Sequence, residues 1–160
     1  MRSGVAMSVL INIDVPDLES GLAFYGQAFG LVPRRRFGAD GAELAGWPVP
    51  LFLLRKEAGS IGARSQARSY ERHWTPVHLD VVVDEIEDAL ARAVQAGAVV
   101  EQDVRTDRWG KIALLDDPFG HGLCLIQFLN RGYDEIAGPP PPGGGRSTPK
   151  ASGGGDTGSR

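Results

Sequence analysis

The chain has 160 residues and a formal net charge of −3, with 42% hydrophobic and 23% charged residues. These values are typical of one globular domain, or of two small halves that share a core. A net negative chain argues against nucleic acid as the main partner, because phosphate binding needs a concentrated basic surface. One cysteine excludes an intrachain disulfide, and neither a signal-peptide pattern nor a membrane-length apolar run is found. We therefore expect a cytoplasmic protein with no membrane partner.

Two segments, 10–32 and 78–100, align without a gap and indicate an internal duplication. Identical residues recur at matched positions, and similar residues such as Asp17 and Glu85 fall between them. Each copy begins with a strand-like alternation of aliphatic and mostly polar residues. The aliphatic positions are Ile11, Ile13 and Val15 in the first copy and Leu79, Val81 and Val83 in the second.

A helix is predicted after each of these strands. Leu18, Leu22, Tyr25 and Phe29 form one apolar stripe at helical spacing, and Ile86, Leu90 and Ala93 repeat that stripe in the second copy. Acidic residues occur at both helix starts, where they suit the helix dipole. Gly30 and Gly97 stand where left-handed C-caps are expected.

Three shorter strand-like runs follow each helix, so each copy has the order β-α-β-β-β. The predicted fold class is α+β, with two paired β-α-β-β-β modules that form a curved, cup-like mixed sheet with the helices outside. We divide the chain into an N-terminal extension (1–8), a first module (9–55), a connecting segment (56–75), a second module (76–137) and a disordered Pro/Gly-rich tail (138–160).

The non-aliphatic strand faces are expected to line the cup, because the aliphatic faces pack on the helices. These faces carry Asn12, Asp14, His78 and Asp80, whose amide and carboxylate groups favour a cationic or amine-bearing guest. Trp109 is expected on a strand that enters the cup, where it could stack on a flat ligand or take part in ordinary packing. His121 lies in the turn "DPFGHG" and is expected to face solvent.

The motifs "DLESGLAFYGQAFGL" (17–31) and "DPFGHGLCLIQF" (117–128), together with the duplicated pattern, resemble the vicinal oxygen chelate superfamily. That group includes glyoxalase-I-like lyases, extradiol dioxygenases, fosfomycin-resistance enzymes and metal-free proteins that sequester bleomycin. The resemblance covers about residues 9–130 and implies that the protein is a homodimer. In the enzymes of the group a divalent ion lies in the cup, held by His or Gln and by Glu from the first and last strand of each half.

Carried over to this sequence, the ligand positions are Leu10 and His78 on the first strands and about Phe52 and Cys124 on the last strands. Only His78 is a usual ligand, so we expect no cofactor, and the resemblance implies binding more than catalysis. Cys124 is interpreted as a small buried apolar side chain. The alternative is a displaced metal site, in which His78 and Cys124 bind the ion and Asp80, two residues beyond His78, completes the set.

We predict that the protein binds a small molecule in the cup. The predicted binding residues are Asn12, Asp14, His78, Asp80, Trp109 and Cys124. Two alternatives remain open. The first is a metal-dependent lyase or dioxygenase that uses the displaced ligand set. The second is a non-catalytic, partner-binding scaffold whose cup is filled by its own side chains. The sequence leaves open whether residues 70–74 form a lid or a dimer contact, and whether the modules pair within one chain or between chains.

Overall fold

The structure is a computed structural model that describes residues 8–139. The predicted N-terminal extension before Ser8 and the predicted tail beyond Pro139 lie outside these residues. The first half contains β1 (Ile11–Val15), α1 (Leu18–Phe29), β2 (Val32–Phe37), β3 (Gly41–Ala45) and β4 (Leu51–Arg55). A hairpin of β5 (Ile61–Ala63) and β6 (Gln66–Ala67) follows; the second half contains β7 (Leu79–Val82), α2 (Ile86–Ala96), β8 (Val99–Asp107), β9 (Gly110–Asp116), β10 (Gly122–Phe128) and a 3₁₀ turn (Gly132–Glu135).

The strands form two four-stranded sheets with the same internal order, β1-β4-β3-β2 and β7-β10-β9-β8. The pairs β1–β4 and β7–β10 are parallel, and the remaining neighbouring pairs of both sheets are antiparallel. The registers also match, since Ile11 pairs with Leu51 in one sheet and Leu79 with Leu123 in the other. This arrangement confirms the predicted α+β fold of paired β-α-β-β-β modules.

The aliphatic alternation places one face of each first strand in the core. Ile13, Val15 and Val81 are buried, whereas Asn12 and Asp80 on the opposite faces are exposed. Successive side chains of a strand point to opposite sides, so the pattern read from the sequence fixes which face meets the helices. Neither helix of the described residues is long and apolar enough to cross a membrane.

Both helices end at the glycines that the sequence predicted as C-caps. Gly30 has a φ of 68° and Gly97 a φ of 117°, and the N–H of each donates back to carbonyls of the last helical turn. The helix starts differ, because the Asp17 side chain accepts a hydrogen bond from the Ser20 N–H at 2.8 Å, whereas Glu85 makes no such bond. The first helix therefore has the better N-cap.

The two modules pack on each other within one chain. Helix α1 packs against α2, and the Tyr25 hydroxyl of α1 donates a 2.8 Å hydrogen bond to Asp117, which lies in the turn before β10. The Phe24 and Phe119 rings meet edge to face at 6.3 Å beside this bond. The pairing left open by the sequence is thus intramolecular in this structure.

Asp117 is a fully buried carboxylate that holds this junction together. Its Oδ1 accepts the N–H groups of Phe119 and His121, both at 2.9 Å, and its Oδ2 accepts the Tyr25 hydroxyl and the His121 Nδ1 at 2.8 Å. Burial first, and then the negative charge of Asp117, raise the pKa of Tyr25 well above its ordinary value. Tyr25 therefore stays neutral and remains a donor.

We expect Tyr25→Phe to lower the free energy of unfolding by about 1–3 kcal/mol, because a buried carboxylate loses one of its donors. Urea denaturation followed by circular dichroism measures the change. The matched control is Tyr70→Phe, since the Tyr70 hydroxyl also makes a bond, at 2.7 Å to the Lys56 carbonyl, but one exposed to solvent. The control should lose less than about 1 kcal/mol of unfolding free energy. Equal losses in both variants would contradict the stabilising role of the buried bond from Tyr25 to Asp117.

Candidate functional site

The sheet faces that turn away from the helices form one surface, named here the open face. It carries Asn12 and Asp14 from β1, Asp80 from β7, and His78 immediately before β7. All four side chains are exposed or half-buried. Asp14 is not a free charge, because its Oδ2 lies 2.8 Å from the Nε of Arg68.

Two cavities meet on the open face beside His78. The seam cavity, of about 350 Å³, lies between the modules and is lined by Asn12, Asp14, Val77, His121 and others of β1 and β7. The second-module cavity, of about 260 Å³, is lined by Arg72, Trp74, Glu101, Ile112, Leu114 and Cys124. Both include Thr75, His78, Gly122 and Leu123, so the two cavities lie side by side at these residues.

His78, Asp80 and Cys124 form a compact cluster. Cys124 pairs with Asp80 across the parallel β7–β10 ladder, and His78 Nε2 lies 3.1 Å from Asp80 Oδ1. One potential ligand atom from each residue lies within 4.8 Å of the other two. Cys124 is buried, whereas His78 and Asp80 are exposed, so the cluster reaches from the sheet to the surface.

Cys124 is a neutral thiol in this setting. Burial, and then the charge of Asp80 and a hydrogen bond to it, raise the pKa of Cys124 to about 11. A thiol with so high a pKa is a poor nucleophile near neutral pH. The location agrees with the interpretation of Cys124 as a small buried side chain.

The residues at the four ligand positions do not fit the divalent ion of the enzymes. Leu10 is 55% exposed just before β1, and its side chain has no donor atom. Phe52 lies on β4, where its ring stacks on Phe37 at 6.0 Å. Only His78 and Cys124 offer donors, and two ligands are too few for the octahedral oxygen coordination that Mn²⁺ or Mg²⁺ prefers.

Trp109 lies in the turn between β8 and β9, at the edge of the open face, and packs in an aromatic cluster. Its ring centroid lies 5.0 Å from that of Tyr133 and 6.3 Å from that of Phe128. Tyr133 is a residue that the sequence reasoning missed. Burial first, and then the charge of Asp80, raise the pKa of Tyr133. Its only signal in the sequence is an aromatic residue just beyond the last strand.

The connecting segment forms a wall of the second-module cavity. Arg72 makes hydrogen bonds of 2.5 and 3.2 Å to the Glu101 carboxylate of β8. At Gly120, with a φ of 86°, a Cβ atom would lie 2.7 Å from the Glu71 carbonyl oxygen, so the segment crosses this turn in close contact. Trp74 is 82% exposed at the cavity rim.

His121 does not face solvent as the sequence suggested. Its side chain is 29% exposed, and its Nδ1 lies 2.8 Å from the buried Asp117 carboxylate. The rest of the imidazole lines the seam cavity. The signal available in the sequence was the spacing of Asp117 and His121 around a Pro/Gly turn.

Comparisons with known proteins agree on the fold. A family model described as a glyoxalase-like domain matches residues 10–126. A glyoxalase/bleomycin resistance protein/dioxygenase family enzyme from Burkholderia phytofirmans superposes with a TM-score of 0.60 at 19% identity, covering 75% of this chain and 97% of that one. A domain of the same description from Frankia sp. gives 0.60 at 16% identity, covering 84% and 100%.

A fosfomycin resistance protein from Listeria monocytogenes gives a TM-score of 0.59 at 16% identity, covering 78% of this chain and 95% of that one. At these identities the structural likeness establishes the fold and not the ligand. A search of curated proteins finds no match.

Stability should depend on the ionisation of Cys124. Folding raises the pKa of this thiol from an ordinary 9.0 to about 11, so its stabilising contribution is complete below pH 9 and is lost as the pH rises towards 11. Between these values the free energy of unfolding of the wild type should fall more steeply than that of Cys124→Ala. Urea denaturation at four pH values measures both slopes, and parallel slopes would contradict the burial of the thiol.

Proposed function

Because the chain belongs to the glyoxalase-like domain family of the vicinal oxygen chelate superfamily, we propose that it binds a small molecule on the open face around His78. The usual divalent ion is not needed for this binding. The observation that carries the proposal is a pair of adjacent cavities, of about 350 and 260 Å³, that share Thr75, His78, Gly122 and Leu123. Leu10 and Phe52, at two of the usual ligand positions, offer no metal donor. A hollow of this size suits a ligand of modest dimensions.

The walls of the two cavities suit a flat molecule with a polar end. Ile112, Leu114 and Leu123 give the second-module cavity an apolar side, with Trp74 at its rim. The polar groups lie towards the seam, where Asn12 and His78 present an amide and an imidazole. An aromatic amine would place its ring against the apolar wall and its nitrogen among these groups.

A second copy of the chain is the proposed macromolecular partner. Large apolar side chains remain exposed along the open face and its margins, including Val9, Leu10, Phe37 and Val82. An apolar surface of this kind favours association. The proposed setting is the cytoplasm, where a single thiol such as Cys124 stays reduced.

Aromatic amines, beginning with benzylamine and tryptamine, test the binding proposal. Thermal denaturation should shift to higher temperature with each amine that binds, because ligands that prefer the folded state stabilise it. Leu114→Trp should fill the second-module cavity and abolish the shift. The matched control is Ala91→Trp, which adds the same ring on the outer groove of α2 and should keep the shift. No shift with any amine in the wild type would contradict this ligand class.

Metal content tests the other half of the proposal. Protein purified without an affinity tag or chelator, and then incubated with Zn²⁺, Ni²⁺ and Mn²⁺, should hold no stoichiometric metal by elemental analysis. The triple variant Leu10→His, Phe52→Glu, Cys124→Glu restores the usual ligand types at these positions and should gain about one ion per chain. Its melting temperature, measured in parallel, controls for misfolding.

The second candidate is a displaced metal site, favoured by the cluster of His78, Asp80 and Cys124. One nitrogen, one oxygen and one sulfur ligand with an open position form a plausible set for catalytic zinc. Ligand atoms around tetrahedral zinc lie roughly 3.3–3.8 Å apart, so side chains now within 4.8 Å would need only a small closure. Near-stoichiometric zinc in the wild type, lost in both His78→Ala and Cys124→Ala, would establish this candidate and overturn the first.

A further inference from the structure

The imidazole of His121 is held in one orientation by a buried acid. Its Nδ1 lies 2.8 Å from Oδ2 of Asp117, whose side chain is 0% exposed. A carboxylate accepts hydrogen bonds, so Nδ1 carries a proton, and in the neutral imidazole the lone pair is then on Nε2. Within residues 8–139, Nε2 of His121 takes part in no hydrogen bond.

Asp117 is itself fixed by three further donors. These are the N–H groups of Phe119 and His121 and the hydroxyl of Tyr25, at 2.8–2.9 Å. The carboxylate cannot rotate away without breaking bonds from both modules. The orientation of the imidazole is therefore set by the packing of the two modules, not by the turn alone.

We propose that His121 is a proton-accepting residue of the seam cavity and that Asp117 is its positioning residue. The ligand group it serves is a hydroxyl or an ammonium. In the step, the O–H or N–H bond of the ligand breaks, its electron pair stays on the ligand atom, and the proton forms a bond with Nε2. The Asp117 carboxylate balances the imidazolium that results. The proposal deepens the proposed binding function and rests on it for the identity of the substrate.

The first module shows that the fold does not require an imidazole here. The two sheets have matching registers, with Ile11 opposite Leu51 and Leu79 opposite Leu123. The position equivalent to His121 is therefore Val49. It lines a cavity of about 350 Å³ at the other end of the seam, whose turn residues Trp47, Pro48 and Val49 are all apolar. The turn of the first module thus brings no titratable side chain to its cavity, which Asp80 of β7 also lines, whereas the matching turn of the second module presents an oriented imidazole.

The seam cavity supplies the surroundings that such a base needs. Asn12, Asp14, Thr75 and His78 line the same space as His121. The cavity thus also presents an amide, a hydroxyl and the Arg68-paired carboxylate of Asp14 to a ligand that enters it. The group is also within reach from outside, because the side chain of His121 is partly exposed.

Two measurements on the full chain test the proposal without a known ligand. The first is nitrogen NMR of protein labelled with ¹⁵N-histidine. It reports the tautomer of each imidazole and is made on the wild-type protein. We expect a protonated Nδ1 and a bare Nε2 at His121. The second uses p-nitrophenyl acetate at neutral pH: a free Nε2 attacks the acetyl carbon, p-nitrophenolate leaves, and water hydrolyses the acetyl-imidazole.

The matched variants are His121→Gln and His73→Gln. Glutamine keeps a donor for Asp117, and His73 is an exposed imidazole whose Nδ1 lies 2.8 Å from a neutral carbonyl, that of Glu71. The rate above the buffer background should fall about tenfold in His121→Gln and stay within about twofold in His73→Gln. Melting temperatures verify that both variants fold.

An Nε2–H tautomer at His121, or an unchanged rate in a folded His121→Gln, would overturn the proposal. Should His121→Gln not fold, the tautomer and the site of acetylation in the wild type, mapped by mass spectrometry, decide it. Failure of the aromatic amines to bind, with hydrolysis still dependent on His121, would refute the binding proposal and leave this one standing.

Discussion

The arrangement of the site depends on one buried carboxylate. Asp117 accepts four hydrogen bonds, one of them from Tyr25 on the helix of the other module. Removing a carboxylate from water is costly unless its oxygens are satisfied, so the turn, the helix and the imidazole must all be present together. This requirement ties the turn before β10 to helix α1 at one point of the seam.

The same interaction links stability to chemistry. Tyr25 contributes a neutral donor, which its raised pKa preserves, and His121 contributes its Nδ1. A group that must be oriented for packing is thereby also oriented for proton transfer. Functional groups commonly take their precision from a surrounding shell of this kind, and here the shell comes from both halves of the chain.

The duplicated architecture makes the differences between the halves informative. Phe52 and Cys124 occupy matching positions opposite Asn12 and Asp80. One half places an aromatic ring there, stacked on Phe37, and the other places a thiol beside an imidazole and a carboxylate. At this pair of matching positions the two halves of the open face therefore differ, with an aromatic ring in the first and a group of polar side chains in the second.

The sequence by itself determined the two β-α-β-β-β modules, the buried faces of β1 and β7, and the glycine C-caps at Gly30 and Gly97. These features depend on local periodicity and backbone preference, which a single sequence displays. It also placed Asn12, Asp14, His78 and Asp80 on the face away from the helices, since strand alternation decides this directly.

Only the tertiary structure decided which of these groups meet. The bond from Tyr25 to Asp117 spans 92 positions of the sequence, and the Arg72–Glu101 pair spans 29. Tyr133 packs against Trp109 and Phe128 because the chain turns back after β10. Contacts of this kind arise from the packing of distant segments, which no local pattern encodes, and they decided that His121 faces a cavity and not solvent.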